Sequence, residues 1–231
     1  MSWTITPQTK VPVDPQFGSV SLLLHGNGTN GSTTITDSSP TPKTVTAVGD
    51  AKISTAQSKF GGSSIAFDGS GDYLSIASNA ALALGATWTV EFFVYLNSFG
   101  AGSYRNGFVS TGTLNTTGHL QIYTDTGPVV VARCGGTGSN DAQSGASPFA
   151  TATWTHLAVV CNNLATTIYI NGVANGTGTL ASASIEPLTR IGNAVFSDYD
   201  LDGYIDDLRI TKGVARYTAN FTPPTAPFPD I

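Results

Sequence analysis

Two adjacent aspartates near the end of the chain, Asp206 and Asp207, stand out chemically because the segment around them is apolar. If residues 204–211 form a β-strand, successive side chains point to opposite faces. Asp206 then shares a face with Leu208 and Ile210, and Asp207 lies on the other face. A carboxylate on an apolar face is costly unless it accepts hydrogen bonds, pairs with a cation or binds a metal ion. The alternation therefore predicts a partner for Asp206, and the simplest partner is the backbone of a neighbouring loop.

A second acidic group, formed by Asp198, Asp200 and Asp202, has the alternate spacing of the first ligands in a calcium-binding loop. An EF-hand loop also requires a bidentate glutamate at its twelfth position, and that position holds Arg209 here. Helices are not predicted on either side of the group. The spacing therefore indicates an exposed acidic turn.

Residues that commonly catalyse hydrolysis are sparse. Glu91 and Glu186 are the two glutamates, and they are far apart in the sequence. Glycoside hydrolysis needs two carboxyl groups facing each other across a groove. His25, His119 and His156 lack the spacing of a metal site, and no serine lies in a Gly-x-Ser-x-Gly turn between a strand and a helix. We therefore predict that the protein is not an enzyme.

Sugar-binding surfaces combine an aromatic ring with several planar polar side chains on a shallow, exposed region. Predicted loops and strand ends carry Tyr104, Asn106, Tyr123, Tyr199 and Asp200, which are candidate contacts for a glycan. Tyrosine and asparagine are also ordinary residues of β-sandwich turns. The alternative is therefore that these residues have no ligand.

The elements that would carry these side chains are β-strands. Of the 231 residues, 40% are hydrophobic and only 11% are charged, and glycine, threonine and serine are abundant. This composition favours strands and turns over helices. The net charge of −5 and the scattered basic residues argue against nucleic-acid binding. No apolar run reaches the roughly 18 residues of a membrane-spanning helix, and the first residues lack the features of a signal peptide.

Short apolar segments separated by turn residues predict an all-β protein. The predicted strands are residues 19–25, 44–48, 63–67, 73–76, 87–97, 107–110, 119–124, 128–133, 155–161, 166–171 and 204–211. The segment 87–97 is apolar on both faces, so it should be central in its sheet. Asn171-Gly172 is a favoured hairpin turn, and Trp88 and Trp154 are predicted to cap the ends of the core. The spacing of the turns favours an antiparallel two-sheet β-sandwich.

Prolines mark both ends of the sequence. Residues 1–18 contain little apolar pattern, which predicts an extended N-terminal arm that needs a partner surface. Residues 19–216 form the predicted sandwich. Residues 217–231 form a proline-rich tail that either packs along the domain or projects from it. Within the sandwich, Cys134 and Cys161 either pair or remain buried thiols.

Four segments in order carry a family resemblance. They are Lys-Phe-Gly-Gly-Ser-Ser-Ile-Ala-Phe-Asp-Gly at 59–69, Trp-Thr-Val-Glu-Phe-Phe-Val at 88–94, Trp-Thr-His-Leu-Ala at 154–158 and Gly-Tyr-Ile-Asp-Asp-Leu-Arg-Ile at 203–210. The chain resembles the laminin-G-like, concanavalin A-like lectin/glucanase superfamily, whose fold is a jelly-roll sandwich. The ending at 207–217, followed by the tail, resembles versions of this domain from tailed phages.

The resemblance implies a cofactor and a role. The family often holds calcium near the junction of its chain ends, and Asp37 and Asp206 match acids of its early loop and closing strand. The resemblance therefore predicts a calcium ion held by these two residues. It also implies a virion surface protein, most simply a capsid decoration protein, that is made in the host cytoplasm without a signal peptide. The alternatives are a carbohydrate-binding adhesin on the phage head or tail and a cryptic glycan hydrolase.

The predicted partners follow from that role. The arm would contact other virion proteins, namely major capsid or tail proteins, and the outer surface would bind host glycans. A homo-oligomer is expected. Nucleic acid and membrane insertion are not.

Overall fold

The computed structural model describes residues 12–99, 106–112, 117–125, 127–135, 142–145, 150–194 and 199–231. These residues form 16 β-strands and two single-turn 3-10 helices, Phe17–Ser19 and Ala80–Leu82. In chain order the strands are β1 (Val20–Leu24), β2 (Thr34–Ile35), β3 (Val45–Val48), β4 (Lys52–Ser54), β5 (Ser64–Asp68), β6 (Tyr73–Ile76), β7 (Trp88–Leu96), β8 (Gly107–Thr111), β9 (Leu120–Thr124), β10 (Val130–Cys134), β11 (Ala142–Gln143), β12 (Trp154–Asn162), β13 (Ala165–Ile170), β14 (Val173–Thr179), β15 (Leu188–Ile191) and β16 (Asp202–Lys212). Neither described helix has the length or apolar character needed to span a bilayer.

Two antiparallel sheets pack face to face. The first sheet has the order β14-β13-β12-β7-β16-β5-β4, and β1 pairs with the second half of β16. The second sheet has the order β11-β10-β9-β8-β15-β6-β3-β2. The inner faces share one apolar core that contains Trp88, Phe92 and Phe108. This architecture confirms the predicted jelly-roll sandwich.

Strands β7 and β12 show how alternation builds the core. Strand β7 lies between β12 and β16, so it is central in the first sheet, as predicted. Its even-numbered residues point into the core, and Trp88 is fully buried there. On β12, Leu157 and Val159 point inward, so Trp154 faces outward and is half-buried. The prediction that Trp154 caps the core is therefore wrong, because the apolar residues that follow it set the opposite parity.

The predicted set of strands omits β2, β4, β11, β14 and β15. The first four of these are the edge strands of the two sheets, and β2 and β11 have only two residues each. Such strands have no apolar alternation of their own and form because a neighbouring strand offers hydrogen bonds. The predicted hairpin turn between β13 and β14 is confirmed, since Asn171 and Gly172 have φ values of 50° and 77°.

A β-bulge changes the predicted faces of the two aspartates on β16. The pairing of β16 with β7 shifts between Asp206 and Arg209, and Asp207 takes the extra position with a φ of 51°. Leu208 and Ile210 consequently point into the core, while Asp206 faces outward with Arg209. The prediction that Asp206 shares a face with Leu208 and Ile210 is therefore wrong, because the bulge adds one residue to the strand.

Both ends of the described chain pack on the outer face of the first sheet. Phe17 and Phe228 pack together around Leu23 of β1. Tyr217 and Phe221 stack ring on ring with centroids 3.6 Å apart and cover apolar residues of β12 and β13. The tail therefore packs along the domain, and the part of the predicted arm that reaches Phe17 also contacts the sandwich.

The two cysteines are free thiols buried in the core. Burial raises the pKa of Cys134 to about 12 and also raises the pKa of Cys161. A buried thiol with a raised pKa is a poor nucleophile. The geometry therefore agrees with the buried-thiol alternative.

Candidate functional site

Three aromatic side chains line up on the outer face of the first sheet. Tyr204, Tyr95 and Trp154 occupy directly paired positions on the neighbouring strands β16, β7 and β12. The ring centroids are 5.9 Å apart for Tyr204 and Tyr95, and 5.7 Å apart for Tyr95 and Trp154. All three side chains are half-buried. We call these three residues the aromatic shelf.

The row that contains the shelf continues onto β5 and β4. Ala66 pairs with Tyr204, and Lys52 pairs with Ala66. Because neighbouring strands lie about 4.8 Å apart, the whole row crosses roughly 19 Å of the sheet. A groove of about 370 Å³ runs beside Tyr204, Ala66 and Lys52. The row therefore combines flat rings at one end with an open groove at the other.

Polar side chains form one rim of this groove. Asp202 lies opposite Asp68 in the pairing of β16 with β5, and Asn97 follows the end of β7. Asn97 Nδ2 donates a hydrogen bond to Asp202 Oδ1 at 2.8 Å, and Ser98 Oγ donates to Asp202 Oδ2 at 2.7 Å. These bonds hold the Asp202 carboxylate beside the shelf.

A buried carboxylate holds the turn that brings Asp50 to the same rim. Asp72 accepts backbone hydrogen bonds from Asp50 and from Asp68, and burial raises the pKa of Asp72. Gly49 has a φ of 68°, and a side chain there would clash with the Asp72 carboxylate. The close approach of turn and carboxylate therefore requires glycine at this position.

Asp206 holds a loop against the row next to the shelf. Its Oδ2 accepts the N–H of Lys59 at 2.7 Å and the N–H of Phe60 at 3.0 Å, which is the kind of partner predicted for it. Phe60 packs edge to face on Phe93 with ring centroids 5.1 Å apart. Phe93 points outward from β7, two positions before Tyr95. Burial raises the pKa of Asp206 to about 6. Asp206 therefore holds the loop that contains Lys59 and Phe60 beside the aromatic shelf.

The family is decided by sequence similarity. A model of the concanavalin A-like lectin/glucanases superfamily matches residues 68–216, which is more than half of the chain. The chain belongs to this superfamily. The matched residues of this concanavalin A-like domain include the whole shelf and the rim residues Asp68, Asn97 and Asp202.

Solved structures share the fold of this concanavalin A-like domain. The binding domain of botulinum neurotoxin serotype D has a TM-score of 0.64 at 12% identity, and the match covers 86% of this chain and 49% of that chain. The binding domain of botulinum neurotoxin DC in complex with SialylT has a TM-score of 0.62 at 14% identity, with coverages of 93% and 49%. Domain 4 of AbnA, a GH43 extracellular arabinanase from Geobacillus stearothermophilus, in complex with arabinotriose, has a TM-score of 0.58 at 19% identity, with coverages of 84% and 93%.

The structural matches cover different shares of the neighbouring chains. The chain spans about half the length of the neurotoxin chains and most of the arabinanase domain. At these identities the likeness shows the fold alone. No curated protein sequence matches the chain.

Two of the predicted glycan contacts support the rim from behind. Asn106 is only 1% exposed; its Oδ1 accepts the N–H of Asp202 at 2.9 Å, and its Nδ2 donates to the carbonyl of Ser98 at 3.0 Å. Asp200 accepts the N–H of Gly71 at 2.8 Å. Both residues therefore position the loops that carry the rim.

The remaining predicted glycan contacts lie on the second sheet or outside the described residues. The rings of Tyr123 and Tyr199 pack together with centroids 5.3 Å apart, and Tyr123 is buried. Tyr104 lies outside the residues that the structure describes. Direct contact between a glycan and any of the predicted residues stays a prediction.

The two predicted calcium ligands have separate sets of partners. Asp37 accepts hydrogen bonds from the backbone of Leu23, Ser39 and Lys43 and from Ser39 Oγ. Asp206 Oδ2 is bonded to the loop described above, and its buried Oδ1 has no hydrogen-bond partner in the described residues. No three histidine, cysteine, aspartate or glutamate side chains cluster as a metal site in the part of the chain that the structure describes. Calcium binding by Asp37 and Asp206 stays a prediction.

Glu91 is engaged in a structural contact that does not suit a catalytic acid. It is fully buried on the outer face of β7, and Arg209 Nε and Nη2 donate to its Oε1 at 3.0 and 2.8 Å. Burial would raise the pKa of Glu91, but the charge of Arg209 and the neighbouring His156 lower it to about 2. A carboxyl group with this pKa is ionised at neutral pH and is a poor proton donor.

The predicted set of glycan contacts omits all three shelf residues. Tyr95, Trp154 and Tyr204 are aromatic residues at the ends of strands, and that signal is present in the sequence. Their common face depends on the parity of β12 and on the pairing order of β16, β7 and β12. Those two facts come from the folded sheet.

Proposed function

We propose that this domain binds carbohydrate without catalysis and that the aromatic shelf and its groove are the binding surface. The observation that carries the proposal is the line of three half-buried rings, Tyr204, Tyr95 and Trp154, on adjacent strands. The rings are tilted against one another by 77° and 57° and together present a continuous apolar surface to solvent.

The chemistry of the surface suits a sugar. The C–H faces of a sugar ring pack on aromatic rings, while its hydroxyl groups need hydrogen-bond partners at the edge. Asp68, Asp202 and Asn97 supply carboxylate and amide groups along that edge. The hydrogen bonds from Asn97 and Ser98 hold Asp202 in place before a ligand arrives, which reduces the entropy lost on binding.

The relatives add support at the level of the fold. The arabinanase domain was solved with arabinotriose, and one neurotoxin binding domain was solved with SialylT. The arabinanase domain is matched over 93% of its length, so it is a unit of the same size. We carry over from these proteins only the idea that this fold presents a saccharide-binding surface.

Replacement of Trp154 or Tyr95 by alanine tests the proposal. We expect either variant to lose binding on a glycan microarray by about tenfold or more, which corresponds to about 1.4 kcal/mol. Tyr73→Ala is the matched control, because Tyr73 is a half-buried aromatic residue on the second sheet that packs on Arg190. Equal binding by all three variants, or release of reducing ends from a bound glycan, would contradict a non-catalytic shelf.

The virion setting is a separate proposal. The likeness of residues 207–217 to tailed-phage domains supports a place on a phage particle, as a decoration protein or as an adhesin. The arm that would hold capsid or tail proteins falls largely in residues 1–11, outside the described residues. Hundreds of copies per purified particle would support decoration, and a few copies would support an adhesin. Absence of the protein from particles would overturn both.

Calcium binding and self-association also remain proposals. Glycan binding measured with and without a chelator would show whether calcium is needed, and sedimentation analysis of the purified chain would give its oligomeric state. Unchanged binding in chelator would remove calcium from the proposed mechanism.

A further inference from the structure

The direction of the row limits the shape of a ligand. Lys52, Ala66, Tyr204, Tyr95 and Trp154 are linked by consecutive pairings across five neighbouring strands. The row is therefore perpendicular to the strands, and it crosses roughly 19 Å at about 4.8 Å per strand. A compact monosaccharide would cover only part of this length, whereas an extended chain of rings can follow it.

The side chains in the row indicate where the sugar rings of a ligand would lie. The three shelf rings follow one another with centroid separations of 5.9 and 5.7 Å, and their planes are tilted by 77° and 57°. They therefore offer a line of apolar contacts, one on each strand. Beyond Tyr204, the small side chain of Ala66 lies in the groove beside Asp68 and Asp202. A linear saccharide can therefore contact the shelf rings in turn and continue into the groove.

The charge of the groove limits the chemistry of that chain. The rim carries the carboxylates of Asp50, Asp68 and Asp202, and Lys52 is the cation that lines the groove with them. The amine of Lys59 lies over Phe93, 5.1 Å from its ring centroid, in the next row. Carboxylates accept hydrogen bonds from hydroxyl groups but repel a carboxylate or sulfate on a ligand. Charges that lie closer together than the screening length of about 8 Å at physiological salt still repel each other.

We infer that the shelf and groove select an uncharged, linear saccharide of at least three rings that lies across the strands. This inference rests on the proposed function and adds the charge, length and direction of the ligand. An acidic chain of the same length would place its carboxylates next to Asp50, Asp68 and Asp202.

The test uses matched pairs of ligands. The probes are neutral linear oligosaccharides, from monosaccharide to hexasaccharide, and the same oligosaccharides with their primary hydroxyl groups oxidised to carboxylates. We expect the neutral member of a bound pair to bind about tenfold more tightly, a difference of about 1.4 kcal/mol. We also expect affinity to rise up to the trisaccharide or tetrasaccharide and then to level off.

Two variants assign the selectivity to the rim. Asp50→Asn should reduce the preference for the neutral member several-fold by improving the binding of the oxidised one. Asp230→Asn removes the same charge beside a different cavity and should leave the preference unchanged. Equal effects of the two variants would show that net charge, and not the rim, sets the preference.

The outcomes separate this inference from the proposed function. Binding of oxidised oligosaccharides at least as tight as that of the neutral ones, lost in Trp154→Ala, would overturn the selectivity and leave the shelf as a carbohydrate site. Binding that is unaffected by Trp154→Ala, or no binding to any probe, would overturn both.

Discussion

The outer face of the first sheet has a covered half and an open half, and both halves use β7, β12 and β16. In the covered half, Glu91 pairs with Arg209 on one side, and the tail lies over the sheet. In the open half, Tyr95 pairs with Trp154 and Tyr204, and all three side chains stay half-buried. The same strands therefore present two different surfaces within a few residues of each other.

The covered half is held by a buried network of charges. Arg209 donates to both Glu91 and Asp14, and Arg216 donates to both carboxylate oxygens of Asp14. The ring of Phe228 lies 3.8 Å from the Arg209 guanidinium carbon. The network therefore ties β7 and β16 to both ends of the described chain.

The bulge in β16 adds a second tie to the tail. Asp207, at the extra position, accepts the N–H of Phe228 at 2.7 Å, and His25 Nδ1 lies 2.6 Å from its other oxygen. The covered half therefore depends on ion pairs between buried charges, whereas the three shelf side chains of the open half carry no charge. Changes in the covered half should alter stability, and changes in the open half should alter binding.

The largest effect should come from removing the centre of the network. Arg209→Ala leaves the buried carboxylate of Glu91 without its main partner, which typically costs about 3–5 kcal/mol of unfolding free energy. Asp14 keeps its two hydrogen bonds from Arg216. Denaturation in urea measures the loss. Lys52→Ala, at the open end of the same sheet, should change stability by only about 0.5 kcal/mol. Similar losses in the two variants would remove the distinction between the halves.

The acid dependence of stability should follow Glu91. Its pKa is about 2 in the folded protein and 4.5 in the unfolded reference, so its contribution is present above about pH 5 and is lost as the pH falls towards 2. The difference in unfolding free energy between the native protein and Glu91→Gln should shrink by roughly 3 kcal/mol over that range. A difference that does not vary with pH would contradict the ion pair.

A smaller change in stability is expected at the shelf. Trp154→Ala should lower the unfolding free energy by only about 1 kcal/mol, because part of the side chain is already exposed to water. Its loss of glycan binding should still be about tenfold. Denaturation and glycan-binding curves measured on the same preparation test the expected loss of stability and the expected loss of affinity. A loss of stability as large as that of Arg209→Ala would make the shelf part of the core.

The smallest effect should come from Asp206, which lies between the halves. Burial raises its pKa to about 6 from 3.8, so its contribution to stability is largest below about pH 4 and is lost as the pH rises through 6. Asp206→Asn removes this dependence and should be more stable than the native protein above pH 6. The net gain should be only about 1 kcal/mol, because the amide oxygen accepts the N–H groups of Lys59 and Phe60 less strongly than the carboxylate does. Denaturation at pH 4 and pH 7 checks the sign, which is opposite to that for Glu91.

The sequence by itself determined the fold class and the strongest elements. Strand β7 could be predicted because its apolar residues alternate over nine positions, and the hairpin turn at Asn171 could be predicted because few residue types accept a positive φ. These signals are local, since they depend on neighbouring residues in the chain. The expectation of a buried, bonded Asp206 was also local, because a carboxylate in an apolar segment needs partners.

The tertiary structure alone decided which side chains meet. The bulge at Asp207 reversed the faces of β16, and the inward parity of β12 turned Trp154 outward, so no alternation within one strand could have placed the shelf. The pairing of Tyr204, Tyr95 and Trp154 joins segments that are distant in sequence. Such pairings are set by sheet order and by the burial of the opposite face, which are properties of the whole sandwich.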